Sequence, residues 1–356
     1  MTLVANGTVL KTTDPVWEEV LGRFPASDVY FERGYCEACA IADSARAYLF
    51  VYTQGDAQVI YPFLMRPVTP GAVLSDVWSP YGYSGPLATT ADPRVLRASA
   101  DAFDSFCRET GVVTSFTRFH PLLGTEACWA PRLGPRFVRH TCYIDLRSPE
   151  VIDGNMRAEC RNMVRKGARA GLAFEVRTWD GAGPLFLELY EATMRKLSAS
   201  DWYSFPMSYY ETLVSRAMEK PWISVVTADG RPCAVALILT HKPFAHYHLS
   251  AWDPEFKQLA PNNYLLCSTA LLAWSLGYTH FHLGGGVQGD DALFLFKASF
   301  NRCGELDFKV GQWVHLADEY GRLCAEMGRP GEIQDYFPPY RARESNRCCS
   351  TLQWGR

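Results

Sequence analysis

Residues 244–286, FAHYHLSAWDPEFKQLAPNNYLLCSTALLAWSLGYTHFHLGGG, hold a strand, a helix and a second strand in close succession. FAHYHLSAW is rich in aromatic residues, as strands are. NYLLCSTALLAWSLG carries apolar residues at helical spacing, with Asn262 or Asn263 as its expected cap and Gly277 as its stop. YTHFHL then returns to a strand pattern until three glycines break it. A helix of this length between two strands marks a parallel crossover, which is right-handed almost without exception. The stretch therefore requires a mixed α/β domain.

The same grammar extends in both directions. Upstream, WISVVTA and CAVALILTH are strands joined at Asp229-Gly230, and before them come a helix expected over 183–198 and the aromatic-rich DWYSFPMSYYETL. Earlier still, one helix is expected over 150–170, ended by Gly171, with a strand at AFEVRTW. Downstream, Asp290 is the expected cap of a short helix, DALFLFKASF. The first half repeats the theme: a helix-like DVYFERGYCEACAIAD, then AYLFVYTQ and QVIYPFLMR as a hairpin turning at Gly55-Asp56. After the Pro, Gly and Tyr-dense SDVWSPYGYSGPL come a helix over 93–110 and strands at VVTSFTRF and CYIDL.

Composition bounds the function classes. A chain of 356 residues, 48% apolar and 21% charged, is that of an ordinary globular protein of one or two domains. The N-terminus lacks the basic and apolar regions of a signal peptide. No apolar run approaches the roughly 20 residues that a spanning helix needs. A cytoplasmic protein is expected. Twelve cysteines are scattered through apolar segments and read as small core residues. Cys36 and Cys39 form the one C-x-x-C, with no second pair at zinc spacing. Cys348 and Cys349 read as tail residues. A net charge of −3 argues against general nucleic-acid binding, so any phosphate recognition must be local.

Seven blocks in order resemble the FemABX-like branch of the GNAT acyltransferases: SPYGYSGP, TRFHPLL, RAECRNMVRKGARAG, LYEATMRK, HYHLSAWDPEF, HFHLGGG with FLFKASF, and YFPPYR. The resemblance runs from about residue 29 to residue 341. The resemblance implies an α/β fold of two GNAT-like domains in tandem, with mixed sheets flanked by helices. The first would span 1–147, completed by the segment 313–356, and the second 148–312, carrying the donor site. It implies transfer of an activated acyl group, aminoacyl from a charged tRNA, to an amine. The acceptor is left open among a peptidoglycan precursor, a small molecule such as an antibiotic precursor, and a polysaccharide amine. No cofactor, no metal, no membrane span and a monomer are expected.

Several groups of residues carry candidate chemistry. Arg157, Arg161, Arg165 and Arg169 recur every four residues with Lys166 beside them, and only Glu159 offsets them nearby. Such a face is either plain solvated surface or a phosphate contact, for which the planar guanidinium is well suited; Arg161, Arg165 and Lys166 are the expected donor contacts. Lys297 in FLFKASF shares a helix edge with Leu293 and Phe300, with Leu293, Phe294 and Phe300 expected toward the core. The family match also places a lysine there, near the donor ester, where an ammonium would hold a developing oxyanion; a snorkelling surface lysine is the plainer reading. Phe296 beside it, and Gly285 in the GGGVQG turn, are assigned to the donor side.

Acetyl-CoA-using relatives carry a Q/R-x-x-G-x-G/A turn whose amides hold pyrophosphate at a helix start. Here the turn reads KQLAPNN, and Pro261 removes one N–H. That favours an aminoacyl ester over acyl-CoA, while Asn262 and Asn263 remain candidates for a phosphate. Tyr81, Tyr83, Arg118 and His120 are expected to line the acceptor groove, joined by Tyr203; the tyrosines read equally as packing residues. His248 is a candidate proton acceptor. His246 and His248 share one strand with His280 and His282 on the next, yet no carboxylate supports a metal among them.

Three readings follow. One is a tRNA-dependent aminoacyltransferase. The second is an acyl-CoA-dependent N-acyltransferase of the same architecture. The third is a GNAT-shaped binding module without donor activity.

Overall fold

The computed structural model describes residues 2–4, 7–196, 205–326 and 336–342. In chain order the first half holds β1 (Thr2–Val4), β2 (Gly7–Lys11), α1 (Val16–Leu21), α2 (Arg33–Ala42), β3 (Arg46–Gln54) and β4 (Ala57–Pro67). It continues with β5 (Ser75–Trp78), β6 (Leu87–Ala88), α3 (Pro93–Glu109), β7 (Val112–Arg118), α4 (Ala130–Leu133) and β8 (Arg136–Asp145). The second half brings α5 (Pro149–Asn155), α6 (Ala158–Arg169), β9 (Ala173–Arg177), α7 (Trp179–Lys196), α8 (Met207–Arg216), β10 (Trp222–Ala228) and β11 (Arg231–His241). Then come β12 (Phe244–Trp252), α9 (Pro261–Ser275), β13 (His280–Gly285), α10 (Ala292–Ala298), β14 (Glu305–Val314) and α11 (Ala317–Glu326).

These elements form two compact units, both mixed α/β. The first takes residues up to Val138, Pro206–Arg216, and the described residues from Phe308 on. The second takes Arg139–Phe205 and Ala217–Asp307. Among the described residues no helix is long and apolar enough to cross a membrane.

In the first unit β1 to β5 run as an antiparallel meander, with β7 added parallel to β5 and β14 antiparallel to β7. The β3–β4 hairpin turns at Gly55, whose φ of 59° suits a residue without Cβ. Asp92 caps α3, accepting from Arg94 N at 2.9 Å with Pro93 at the first helical position. Its buried residues Val95, Ser99, Ala102, Phe103 and Phe106 recur at helical spacing. Phe103 stacks on Trp129 and meets Phe50 and Tyr61 edge-on, a cluster that is the centre of this core. Cys36 and Cys39 lie in α2, both buried, and the Cys36 thiol donates to Tyr30 O.

In the second unit β9, β10, β11 and β12 are antiparallel neighbours, β13 is parallel to β12, and β13 is antiparallel to β8. The expected crossover is present as β12–α9–β13. The β10–β11 hairpin turns at Asp229 and Gly230, with φ of 48° and 77°. The helix α9 buries Leu265, Leu266, Thr269, Ala270 and Ala273 against the sheet.

Three local expectations are corrected. The helix expected over 150–170 is two helices, because Met156 and Arg157 take extended backbone (ψ 145° and 149°). Arg157 N donates there to Ser299 O at 2.8 Å, a bond that an uninterrupted helix would not permit. The cap of α9 is Ala260, in the left-handed conformation, and not Asn262 or Asn263. The cap of α10 is Asp291, not Asp290, which instead meets His140 Nδ1 at 2.8 Å. Cys348 and Cys349 lie outside the described residues.

Candidate active site

Parallel pairing of β12 with β13 covers Phe244–His280, Ala245–Phe281 and His246–His282. Beyond these three pairs no register joins the strands among the described residues: β12 continues along β11 and β13 along β8. A bulge stands where they part on each strand. Tyr247 faces Ile238 and Leu249 faces Leu237, so His248 is the extra residue in β12. His282 faces Tyr143 and Gly284 faces Cys142, so Leu283 is the extra residue in β13. A bulge bends its strand and raises the local twist, which drives the neighbours apart. The result is a split in the sheet whose two lips are strand backbone, able to accept or donate hydrogen bonds to an extended ligand.

Lys297 is placed at this split. Asp291 accepts from Phe294 N at 3.0 Å and starts α10, which packs Phe294 into the core, with Phe300 buried just past its end. Leu293, expected to be buried, is 41% exposed. One turn along, the Lys297 ammonium donates to Gly285 O at 2.8 Å and lies 5.8 Å from the centroid of the Tyr247 ring. Gly285 belongs to one lip and Tyr247 to the other. Burial lowers the Lys297 pKa to about 8, reinforced by Arg139 and opposed by Cys142 and Asp291. Phe296, half-buried on the same helix, meets Phe300 edge-on at 5.5 Å.

The histidines do not converge as a group. The rings of His246 and His282 stand 5.6 Å apart across the last paired position, whereas His280 pairs with Phe244 and lies 4.9 Å from Tyr143. Burial, and then the neighbouring His246, lower the His248 pKa to about 3. A ring that weakly basic is neutral at physiological pH and takes up a proton poorly.

The turn before α9 is the second feature. Ala260 has a φ of 54°, a conformation usually left to glycine, and the helix begins immediately after it with Pro261. Asn262 and Asn263 occupy the next two positions, half-buried, and Asn263 Nδ2 donates to Cys160 Sγ at 3.7 Å. The helix α6 packs directly on this turn: a Cβ added to Gly167 would lie 3.1 Å from Tyr264 Cβ and 3.3 Å from Leu259 O. Of its basic residues, Arg161 is turned back, donating to Met156 O at 2.9 Å and facing Asp153 at 3.4 Å. Arg161 thus braces the break between α5 and α6. Arg165, Lys166 and Arg169 are exposed beside the helix start.

The residues assigned to the acceptor lie in the first unit. Tyr81 is half-buried and its carbonyl accepts from Tyr35 Oη at 2.7 Å. Tyr83, also half-buried, meets Tyr30 and Phe308 edge-on at 5.6 and 5.3 Å. Gly82 between them has a φ of 87° and presses on the Tyr30 ring, where a Cβ would come within 2.4 Å. Arg118 is buried, its backbone N–H donating to Ser79 Oγ at 2.9 Å and its guanidinium 5.2 Å from the Phe116 ring centroid. His120 lies wholly inside. Its Nε2 stands 2.6 Å from Asp28 Oδ2, and Nδ1 accepts from Leu123 N at 3.2 Å. Asp28 has no exposed surface and requires a donor, and His120, expected at the groove, is itself without exposed surface and faces it. Tyr203 lies outside the described residues.

Sequence reasoning named Lys297 and Gly285, which the structure joins by a hydrogen bond, but did not name the split, the two bulges, Tyr247 or Arg139. No local signal marks a bulge whose position depends on the partner strand.

Residues 154–310 match the model of the acetyltransferase (GNAT) domain. No curated protein matches the chain in sequence. Among solved structures, the crystal structure of FemX superposes with a TM-score of 0.64 at 13% identity, covering 81% of this chain and 92% of that one. A conserved protein of unknown function from Bacteroides thetaiotaomicron gives 0.59 at 11% identity, over 87% and 100% of the two chains. The C-terminal domain of a putative lysylphosphatidylglycerol synthetase from Agrobacterium fabrum gives 0.52 at 16%, over 89% and 97%. Identities this low speak for a shared fold.

Proposed function

We infer, from a chain that has the FemX-like α/β fold and a GNAT acyltransferase domain over residues 154–310, that it moves an aminoacyl group from a charged tRNA to an amine. The observation that carries this reading is Lys297, an ammonium held between the two lips of an open split in the sheet. The amine's lone pair attacks the ester carbonyl, and the oxygen gains negative charge. Lys297, which has donors beyond the one given to Gly285, hydrogen-bonds that oxyanion. The tetrahedral intermediate collapses to the amide, and the tRNA ribose oxygen leaves with the proton shed by the amine. The ester is already activated, so positioning and charge stabilisation suffice and no covalent enzyme intermediate is needed.

Support for a tRNA donor comes from Arg165, Lys166 and Arg169, exposed on a helix packed against the start of α9. Phosphates favour both features, the guanidinium forks and the free amides of a helix start. The putative lysylphosphatidylglycerol synthetase among the similar structures bears the name of an enzyme that places a lysyl group on its acceptor. The acceptor in this reading is a peptidoglycan-precursor or small-molecule amine. No resident cofactor enters this reading.

An acyl-CoA donor is the second reading. Ala260 keeps the left-handed bend of a phosphate-binding turn although it is not glycine. Incubation with labelled aminoacyl-tRNA, with and without ribonuclease, separates the two. Amide product that forms with intact tRNA and vanishes after ribonuclease treatment supports the first. Product formed from acyl-CoA alone, together with thermal stabilisation by CoA, replaces it with the second.

A further inference from the structure

The GGGVQG turn is held far more firmly than glycine-rich sequence requires. Arg139 Nη1 donates to the carbonyls of Gly286 at 2.8 Å and Val287 at 2.9 Å. On the amide side, Asp291 Oδ2 accepts from Val287 N at 2.8 Å and Gln288 N at 2.9 Å. Next to Arg139, His140 holds Asp290. The packing is tight as well: a Cβ on Gly286 would stand 2.2 Å from Asp291 Oδ1. Without these bonds a run of glycines would sample many backbone states. The residue immediately before the clamped carbonyls is Gly285, the acceptor for Lys297.

We propose that Arg139 is a positioning residue for Lys297: by clamping the carbonyls of Gly286 and Val287 it fixes Gly285, and so parks the Lys297 ammonium at the mouth of the split. This rests on the role given to Lys297 above. The titratable and charged groups facing Lys297 are Arg139 and Cys142 from β8, Asp291 at the start of α10, and Tyr247 from β12. Arg139 acts on Lys297 twice, through the loop and through the repulsion of like charges, and both effects disappear together in R139Q.

Competitive labelling of amines with acetic anhydride, read by mass spectrometry at the peptide carrying Lys297, measures its titration in the full chain without donor or acceptor. The wild-type midpoint is expected at about 8. In R139Q the freed ammonium gains water and loses a like charge, so the midpoint rises by about one pH unit or more. R139K keeps the charge but loses the reach to both carbonyls, and its midpoint rises less. In a transfer assay with charged tRNA, R139Q lowers kcat more than it changes KM, and the alkaline limb of kcat moves up with the labelling midpoint. An unmoved midpoint in R139K that melts like wild type, or in R139Q if only that variant folds, overturns the proposal. Failure of tRNA-dependent transfer with the labelling shift intact would sink the donor reading and leave the positioning role standing.

Discussion

Lys297 is useful as an ammonium and is kept at the edge of losing its proton. Burial lowers its pKa to about 8, so the charged form that holds an oxyanion fades as pH rises through that value. We therefore expect kcat to show a descending limb near about 8, and K297A to lose the limb together with a factor on the order of 10²–10³ in kcat, with KM for the donor little changed. A pH–rate series on the two proteins checks both. His248 makes the opposite case. With a pKa lowered to about 3 it stays neutral and does not titrate in the neutral range, so H248Q should leave the shape of the pH profile unaltered between roughly pH 5 and 8. Disappearance of an acid limb in H248Q would restore the histidine as base. His120 is expected at the acceptor groove because nothing near it in the chain announces Asp28, ninety-two positions away.

At the scale of elements, the pairing of α6 with the start of α9 sets the chemistry on offer. Arg165 and Lys166 project from α6 because the opposite face, with Cys160, Val164 and Gly167, packs inward. Their spacing was visible in the sequence, but the diversion of Arg161 to Met156 O and Asp153 was not, since it depends on the break at Met156. R165Q and K166Q are expected to weaken tRNA binding and to shrink the salt dependence by about 0.7 in slope for each phosphate that goes unneutralised. Binding titrations at several salt concentrations measure this; an unchanged slope would remove α6 from the donor site. Ala260 bears a strained left-handed backbone at the foot of α9. Replacing it by glycine relieves that strain, against a gain in unfolded-chain freedom, for a net stabilisation of about 0.5–1 kcal/mol. Thermal melting of A260G tests the sign.

Across the whole chain, the first unit is closed by residues from its far end. Asp76, almost fully buried, accepts from Thr114 Oγ1 at 2.7 Å, Tyr340 Oη at 2.6 Å and Arg341 Nε at 2.6 Å. His315 makes a second tie, between Ser115 Oγ at 2.6 Å and Asp104 Oδ1 at 2.6 Å. Ser115 has no exposed surface, so this trio is a clasp and not a hydrolytic site. Removing Arg341 leaves a buried carboxylate short of its charged partner, and R341A should cost about 3 kcal/mol. A denaturant midpoint unchanged in R341A would show that the clasp contributes little. The excursion of Pro206–Arg216 into the first unit has the same long-range character: α8 packs on α2, and Gly34 leaves no space for a Cβ, which would lie 2.5 Å from Arg216 O.

By itself, the sequence determined what local chemistry can determine: strand and helix periods, the hairpins at Gly55 and Asp229-Gly230, the β12–α9–β13 crossover, and a lysine on a short apolar helix after a glycine turn. Those follow from side-chain period and backbone freedom over a few residues. Tertiary structure alone decided which of two adjacent aspartates caps α10, since His140 claims Asp290 from 150 positions away. It also decided where β12 and β13 part, because a bulge is a mismatch between two registers and neither strand carries that information alone.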